Sequence, residues 1–208
     1  MTDLLLLHTS PVHVPVFDAL RDRNHPGAVL RHLVVPELLD RARAEGPESV
    51  TPALRGLLAE VGTPVLVTCS TIGATAESLA PTLGVPVLRV DRPMAVVAVR
   101  TGARIAVLAA LESTLAPTGE LLAEEAGERP VSIRTYLVAG AWDRFEAGDT
   151  AGYLARIAEA ADSVTGADVI VLAQASMAGA ADLATTPIPI LAGPASGLAA
   201  GLAMRSAL

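Results

Sequence analysis

Eight short apolar runs recur along the 208-residue chain, beginning near residues 4, 29, 65, 86, 104, 132, 170 and 189, and most are separated by stretches with helical character. The runs are continuous rather than alternating, as in strands covered on both faces of a parallel sheet. Strands alternating with helices predict an α/β fold. Eight strands divide naturally into two pseudo-symmetric, Rossmann-like halves, at about 1–92 and 96–193. Each half is expected to be a mostly parallel four-stranded sheet flanked by helices, with a final helix over 195–208 packing back on the first half. Hydrophobic residues make up 51% of the chain, enough for a sizeable core, but aromatics are only 2%, so Leu, Val and Ala must fill it.

One unit is written twice. Residues 63–88, TPVLVTCSTIGATAESLAPTLGVPVL, read as strand, turn, helix, strand, with the only cysteine, Cys69, where strand gives way to helix. Residues 167–191, ADVIVLAQASMAGAADLATTPIPIL, follow the same plan. Aligning Val65-Leu66-Val67 with Ile170-Val171-Leu172 sets Cys69 against Gln174, Thr71 against Ser176 and Ile72 against Met177. Pro86-Val87-Leu88 then meets Pro189-Ile190-Leu191 after a two-residue deletion. An internal duplication would account for this match, although any two strand–turn–helix units in an alanine-rich chain share some pattern.

Composition removes several functions. The net charge is −7 with no basic run, which argues against a nucleic-acid partner. No apolar run reaches the roughly 18 residues of a membrane span. MTDLLLLHTS lacks a basic leader region and reads as a first strand rather than a signal peptide, so a cytoplasmic protein is expected. One cysteine excludes an internal disulfide framework. All fifteen cations are arginine, so the lysine of a pyridoxal phosphate Schiff base or a Walker-type loop is lacking. The four histidines are scattered and the cysteine has no ligand partner at useful spacing, so no metal site is visible.

The strand ends carry the chemistry. In open α/β sheets ligands bind beyond the carboxyl ends of the strands. Here those ends are His8-Thr9-Ser10, Cys69-Ser70-Thr71, Glu112-Ser113-Thr114 and Gln174-Ala175-Ser176. The pseudo-dyad would bring the four turns together in one cleft, the expected active site. Cys69 would meet the unpaired N–H groups and partial positive charge of a helix N-terminus, which favour a thiolate or a substrate carboxylate. The hydroxyls cap helices in any case, and capping and carboxylate binding use the same turn.

Between these turns, residues 12–23 read as a helix with Val16 and Leu20 inward, 36–45 and 51–61 as two more, 95–100 and 119–126 as short ones, and 139–149 as a loop carrying Trp142. Residues 150–164 form an amphipathic helix with Leu154, Ile157, Ala161 and Val164 on one face.

The motif VTCSTIG at 67–73, the strand and Ser/Thr turn at 104–114, and VLAQASM at 171–177 together resemble the aspartate/glutamate racemase superfamily, over essentially the whole chain. That group includes aspartate, glutamate and hydantoin racemases, maleate isomerase and arylmalonate decarboxylase. The resemblance implies cofactor-independent chemistry on the carbon next to a carboxylate. It also implies a cysteine on each face of that carbon in the racemases; the first would be Cys69, and the second would fall at Gln174. Glutamine cannot exchange a proton at neutral pH, so a cysteine-pair racemisation is closed to this chain.

Three readings remain. The first is an isomerase working through a carbanion or enediolate with Cys69 as acid or base, and His8 or Glu112 as the second group. His8 falls where some members carry an acid assisting the first cysteine. The second is a single-cysteine decarboxylase or lyase of the arylmalonate decarboxylase type. That enzyme keeps its cysteine on the opposite side, so the layout here is mirrored. The third is a degenerate protein that only binds a carboxylate. In all three, Thr9, Ser10, Ser70, Thr71, Ser113, Thr114, Gln174 and Ser176 line the substrate site. His13, His25 and His32 are expected at surface or turn positions, and Met94 and Met177 in pocket wall or core. The expected partner is a small carboxylic acid; a homodimer is compatible with a two-half chain of this size.

Overall fold

A computed structural model describes residues 3–204; the first two residues and the last four of the helix expected over 195–208 lie outside it. The chain divides into two compact units. One runs to Val90 and takes up the chain again at Pro194; the other is Asp91–Gly193.

The first unit contains β1 (Asp3–His8), α1 (His13–Asn24), β2 (Val29–Val34), α2 (Glu37–Glu45), α3 (Thr51–Leu58), β3 (Val65–Val67), α4 (Ser70–Ser78), α5 (Ala80–Leu83) and β4 (Val87–Arg89). The second contains α6 (Arg92–Thr101), β5 (Arg104–Ala109), α7 (Leu115–Ala126), β6 (Ser132–Leu137), α8 (Ala141–Glu146), α9 (Thr150–Asp162), β7 (Val169–Leu172) and β8 (Ile190–Ala192). Helix α10 (Gly193–Ala203) follows. The sheets are parallel throughout and share one strand order, β2-β1-β3-β4 and β6-β5-β7-β8. β3 and β7, the strands that lead to Cys69 and Gln174, hold equivalent places.

Each sheet is covered on both faces, which is why its strands read as unbroken apolar runs. In the first unit Leu5, Leu7, Val65 and Val67 pack with Leu54, Leu58, Ile72 and Ala76. Leu4, Leu6 and Leu66 point the other way, against Phe17, Leu20 and Leu198. Leu198 belongs to α10, and that helix approaches closely through glycines. A Cβ at Gly197 would lie 2.5 Å from the Val90 carbonyl oxygen, and one at Gly201 would lie 3.1 Å from Leu4. Leu4, Leu6 and Leu66 are fully buried; truncating one to Ala would cost about 2–5 kcal/mol. In the second unit the same sandwich places Met94, Ala98, Leu121 and Leu122 on one face, and Tyr153, Ile157 and Met177 on the other.

Several segments differ from their sequence reading. Residues 139–149 contain helix α8; Gly140, at φ 72°, starts it from the left-handed region that glycine tolerates. Helix α7 begins at Leu115, four residues earlier than expected, because Pro117 sits in its first turn where no N–H partner is needed. The turn after Gln174 continues as a 3-10 helix, Ala175–Asp182, rather than an α-helix. Phe17 and Leu20, with His13, form the buried face of α1, while Val16 is 39% exposed. Among the described residues no helix is long and apolar enough to cross a membrane.

Candidate functional site

β3 delivers Thr68 and Cys69 to the N-terminus of α4. Cys69 is the residue before the first helical position, in extended backbone at φ −108°, ψ 114°. Its side chain makes no closed capping bond, yet the backbone N–H groups of Thr71 and Ile72 face the sulfur, as do the hydroxyls of Thr9 and Thr71. These four donors favour the thiolate. Burial opposes them and prevails, so the thiol is held above its ordinary value. Cys69 itself is partly exposed, while Thr9, Ser70 and Thr71 are buried. Thr9 comes from the end of β1, so the thiol is gripped by two adjacent strands and one helix. Ser10 is half-buried on the same turn.

His8 is not directed at Cys69. Its Nδ1 lies 2.8 Å from the Thr68 hydroxyl and its Nε2 lies 2.8 Å from His32 Nδ1, so both ring nitrogens are occupied. The Thr68 hydroxyl in turn donates to the Leu7 carbonyl at 3.1 Å. The His8 ring stacks on His32 at 5.1 Å and lies 6.1 Å from His13 and 5.7 Å from Phe17. Burial, with charge repulsion from His13 and His32, lowers its pKa to about 3; burial alone lowers His13 to about 4. Both rings are therefore neutral near pH 7. Sequence alone suggests surface or turn positions for His13 and His32. Instead, His13 is buried on α1 and His32 is partly buried against β1, because the β1–β2 register and the α1 crossover fold both over His8. Among the described residues no group of three or more His, Cys, Asp or Glu is placed to hold a metal ion.

The second unit repeats the plan with different chemistry. Gln174 stands before the 3-10 helix in extended backbone, at φ −119°, ψ 141°. Its Oε1 accepts from the Ala110 N–H at 2.6 Å and the Leu111 N–H at 3.2 Å. Two donors on one atom fix the amide orientation, so the NH2 group is on the other side. Ser176 bonds the Tyr153 hydroxyl at 2.7 Å. Tyr153 is buried on α9, and burial raises its pKa, so the phenol stays protonated. Thr114 is buried, Ser113 half-buried and Glu112 exposed. Met94 and Met177 are core residues.

Sequence reasoning missed two contributors. Tyr153 shares the i, i+4 stripe with Ile157 and Ala161, and that spacing could have revealed it; Leu154, expected on that face, packs partly buried against the same core. Arg89, at the end of β4, is 2% exposed and packs against Gly73 of α4, where a Cβ would lie 2.9 Å from the Arg89 Cβ. No sequence pattern marks it, because its burial depends on the glycine opposite.

No curated protein matches the chain by sequence comparison. Among solved structures it resembles allantoin racemase from Pseudomonas fluorescens, at 17% identity and a TM-score of 0.66, with 99% of this chain and 93% of that one covered. Glutamate racemase from Aquifex pyrophilus superposes with a TM-score of 0.66 at 14% identity, covering 98% and 84%. A variant of arylmalonate decarboxylase, with one glycine replaced by cysteine and one cysteine by serine, gives 0.59 at 18% identity, covering 98% and 92%. The family model described as Asp/Glu/Hydantoin racemase matches residues 13–201. With nearly its whole length matched by that model, the chain belongs to the Asp/Glu/hydantoin racemase family.

Proposed function

We propose that the protein is a cofactor-independent enzyme that forms and quenches a carbanion beside the carboxylate of a small acid, with Cys69 as its proton-transfer group. The observation that carries this reading is the seat of the Cys69 sulfur, which faces two helix N-terminal amides and two threonine hydroxyls. Those donors ease proton loss from a thiol that burial keeps protonated at rest. Thr9, Ser10, Ser70 and Thr71 would hold the substrate carboxylate beside it.

Two features favour the decarboxylase form over the isomerase form. A thiol held above its ordinary value rests as S–H, the state a proton donor needs. The Gln174 amide cannot act as a base. In this scheme the bond between the substrate carbon and one carboxylate breaks, CO2 leaves, and the electron pair remains as an enediolate. The Cys69 S–H then protonates the carbon, and solvent reprotonates the thiolate. The isomerase form needs a second acid. Both nitrogens of His8 are occupied, which leaves Glu112 as its candidate.

The test is to incubate the protein with amino acids, 2-aryl acids and malonates in deuterated water. CO2 release with one deuterium incorporated supports the decarboxylase. Exchange without CO2 loss supports the isomerase and directs attention to Glu112. Turnover undiminished in Cys69→Ala would sink the assignment of Cys69. Binding of a carboxylate with no turnover of any acid would support the binding-only reading.

A further inference from the structure

The two six-residue outer strands, β2 and β6, are finished differently. In β2 only Val29 and Arg31 are exposed, and His32 is tucked against His8. In β6 five of the six residues are exposed, including Tyr136 at 39% and Leu137 at 48%. Free edges invite pairing, and proteins commonly blunt them with proline, bulges or short strands. β6 has none of these. It contains no proline or glycine and runs in unbroken register with β5 from Ser132 to Leu137.

The register also says which backbone groups are free. Ser132 N–H donates to the Ala103 carbonyl and Val138 N–H to the Ala109 carbonyl. With period two, residues 132, 134, 136 and 138 address β5, and the N–H and C=O groups of Ile133, Thr135 and Leu137 point outward.

We propose that β6 pairs antiparallel with β6 of a second copy of this chain, about a two-fold axis at Thr135, joining two four-stranded sheets into one of eight strands. Self-complementarity of the edge argues for this occupant. In that register Thr135 meets Thr135 of the second copy, Ile133 meets Leu137, and Arg134 meets Tyr136. These are a hydroxyl pair, an aliphatic pair and a cation–aromatic pair, each of a kind that stabilises neighbouring strands. Shifting the register two residues toward the N-terminus would set Arg134 directly opposite Arg134, a like-charge contact that disfavours the slip. β6 carries no acidic residue, so two chains of net charge −7 can approach through it without carboxylates opposed. The pairing is isologous, as expected of a two-fold dimer.

The test measures the mass of the full-length protein in solution by sedimentation velocity and light scattering. The expected result is the mass of two chains. Thr135→Pro removes an N–H that points outward and no bond to β5, so it should yield one-chain mass with an unchanged circular dichroism spectrum. Cross-linking gives a second readout. Thr135 and its counterpart would have Cα atoms about 5.5 Å apart, within the range of about 4.4–6.8 Å that a disulfide spans. Thr135→Cys should therefore form a covalent dimer under mild oxidation. Ser132→Cys should not, its counterpart being about 20 Å away along the strands. A native chain that stays monomeric at micromolar concentration overturns the proposal. So does a dimer untouched by Thr135→Pro, or equal cross-linking at 132 and 135.

Discussion

The carboxamide oxygen of Gln174 accepts the Ala110 N–H at 2.6 Å, so a side chain ties the turn after β7 to the end of β5, beside the backbone bond from the Ala173 N–H to the Leu108 carbonyl. Leu111 donates to the same carboxamide oxygen at 3.2 Å. Gln174→Leu leaves both amides without this acceptor and should lower stability by about 1–3 kcal/mol, read from chemical denaturation. Gln174→Glu retains an acceptor in the same seat and should cost under about 1 kcal/mol, since amides favour the ionised carboxylate. Equal losses in the two variants would show that the amides do not depend on Gln174.

Cys69 should react slowly with an alkylating reagent at neutral pH, because burial holds its thiol above the ordinary value. The rate should rise with pH to an inflection above that of a free cysteine. Thr9→Val removes one of the hydroxyls that pull the value down, so it should push the inflection higher still. An inflection at or below that of free cysteine would refute the balance of forces described for this site.

Acid should destabilise the first unit before carboxylates protonate in bulk. Above pH 6.5 His8 and His13 are neutral in both the folded and unfolded chain. As the pH falls below 6.5 the unfolded chain takes up protons, while folded His13 resists to about 4 and His8 to about 3. Their folded values are lowered, so the unfolded state binds more protons in this window and stability falls with pH. For His13 alone the loss is on the order of 3 kcal/mol. His13→Leu should flatten the stability profile between pH 4 and 6.5. A variant with the native slope in thermal melts across this range would remove His13 as a cause.

Gly73→Ala should reverse the usual sign of a helix substitution. Alanine in place of glycine ordinarily favours a helix by about 1 kcal/mol. Here the added Cβ would lie 2.9 Å from the Arg89 Cβ of β4, so backbone must shift. A net loss of about 1–3 kcal/mol is expected in denaturant unfolding. Stabilisation would mean that β4 yields freely and that Gly73 is not needed for the fit.

The sequence by itself determined the class of fold and the residues at each strand end. Both depend on local pattern: an apolar run covered on both faces announces a parallel strand, and a Ser/Thr turn announces the start of a helix. The Thr71 hydroxyl at the Cys69 sulfur was legible in this way, being two residues distant in sequence. Short helices were less legible. Ala141–Glu146 spans only six residues, and its Trp142–Phe145 stack at 4.8 Å emerges only when the helix has formed.

Only the tertiary structure decided how those end residues are used. His8 and His32 are 24 residues apart in sequence, and Gln174 and Ala110 are 64 apart, yet each pair shares a hydrogen bond. Nothing local shows whether a histidine faces a neighbouring thiol or a second histidine. The parallel crossovers set that choice when they lay β2 beside β1 and β7 beside β5. Burial then fixes the chemistry: it raises the Cys69 thiol and lowers His8 and His13, because a low-dielectric interior disfavours whichever form is charged.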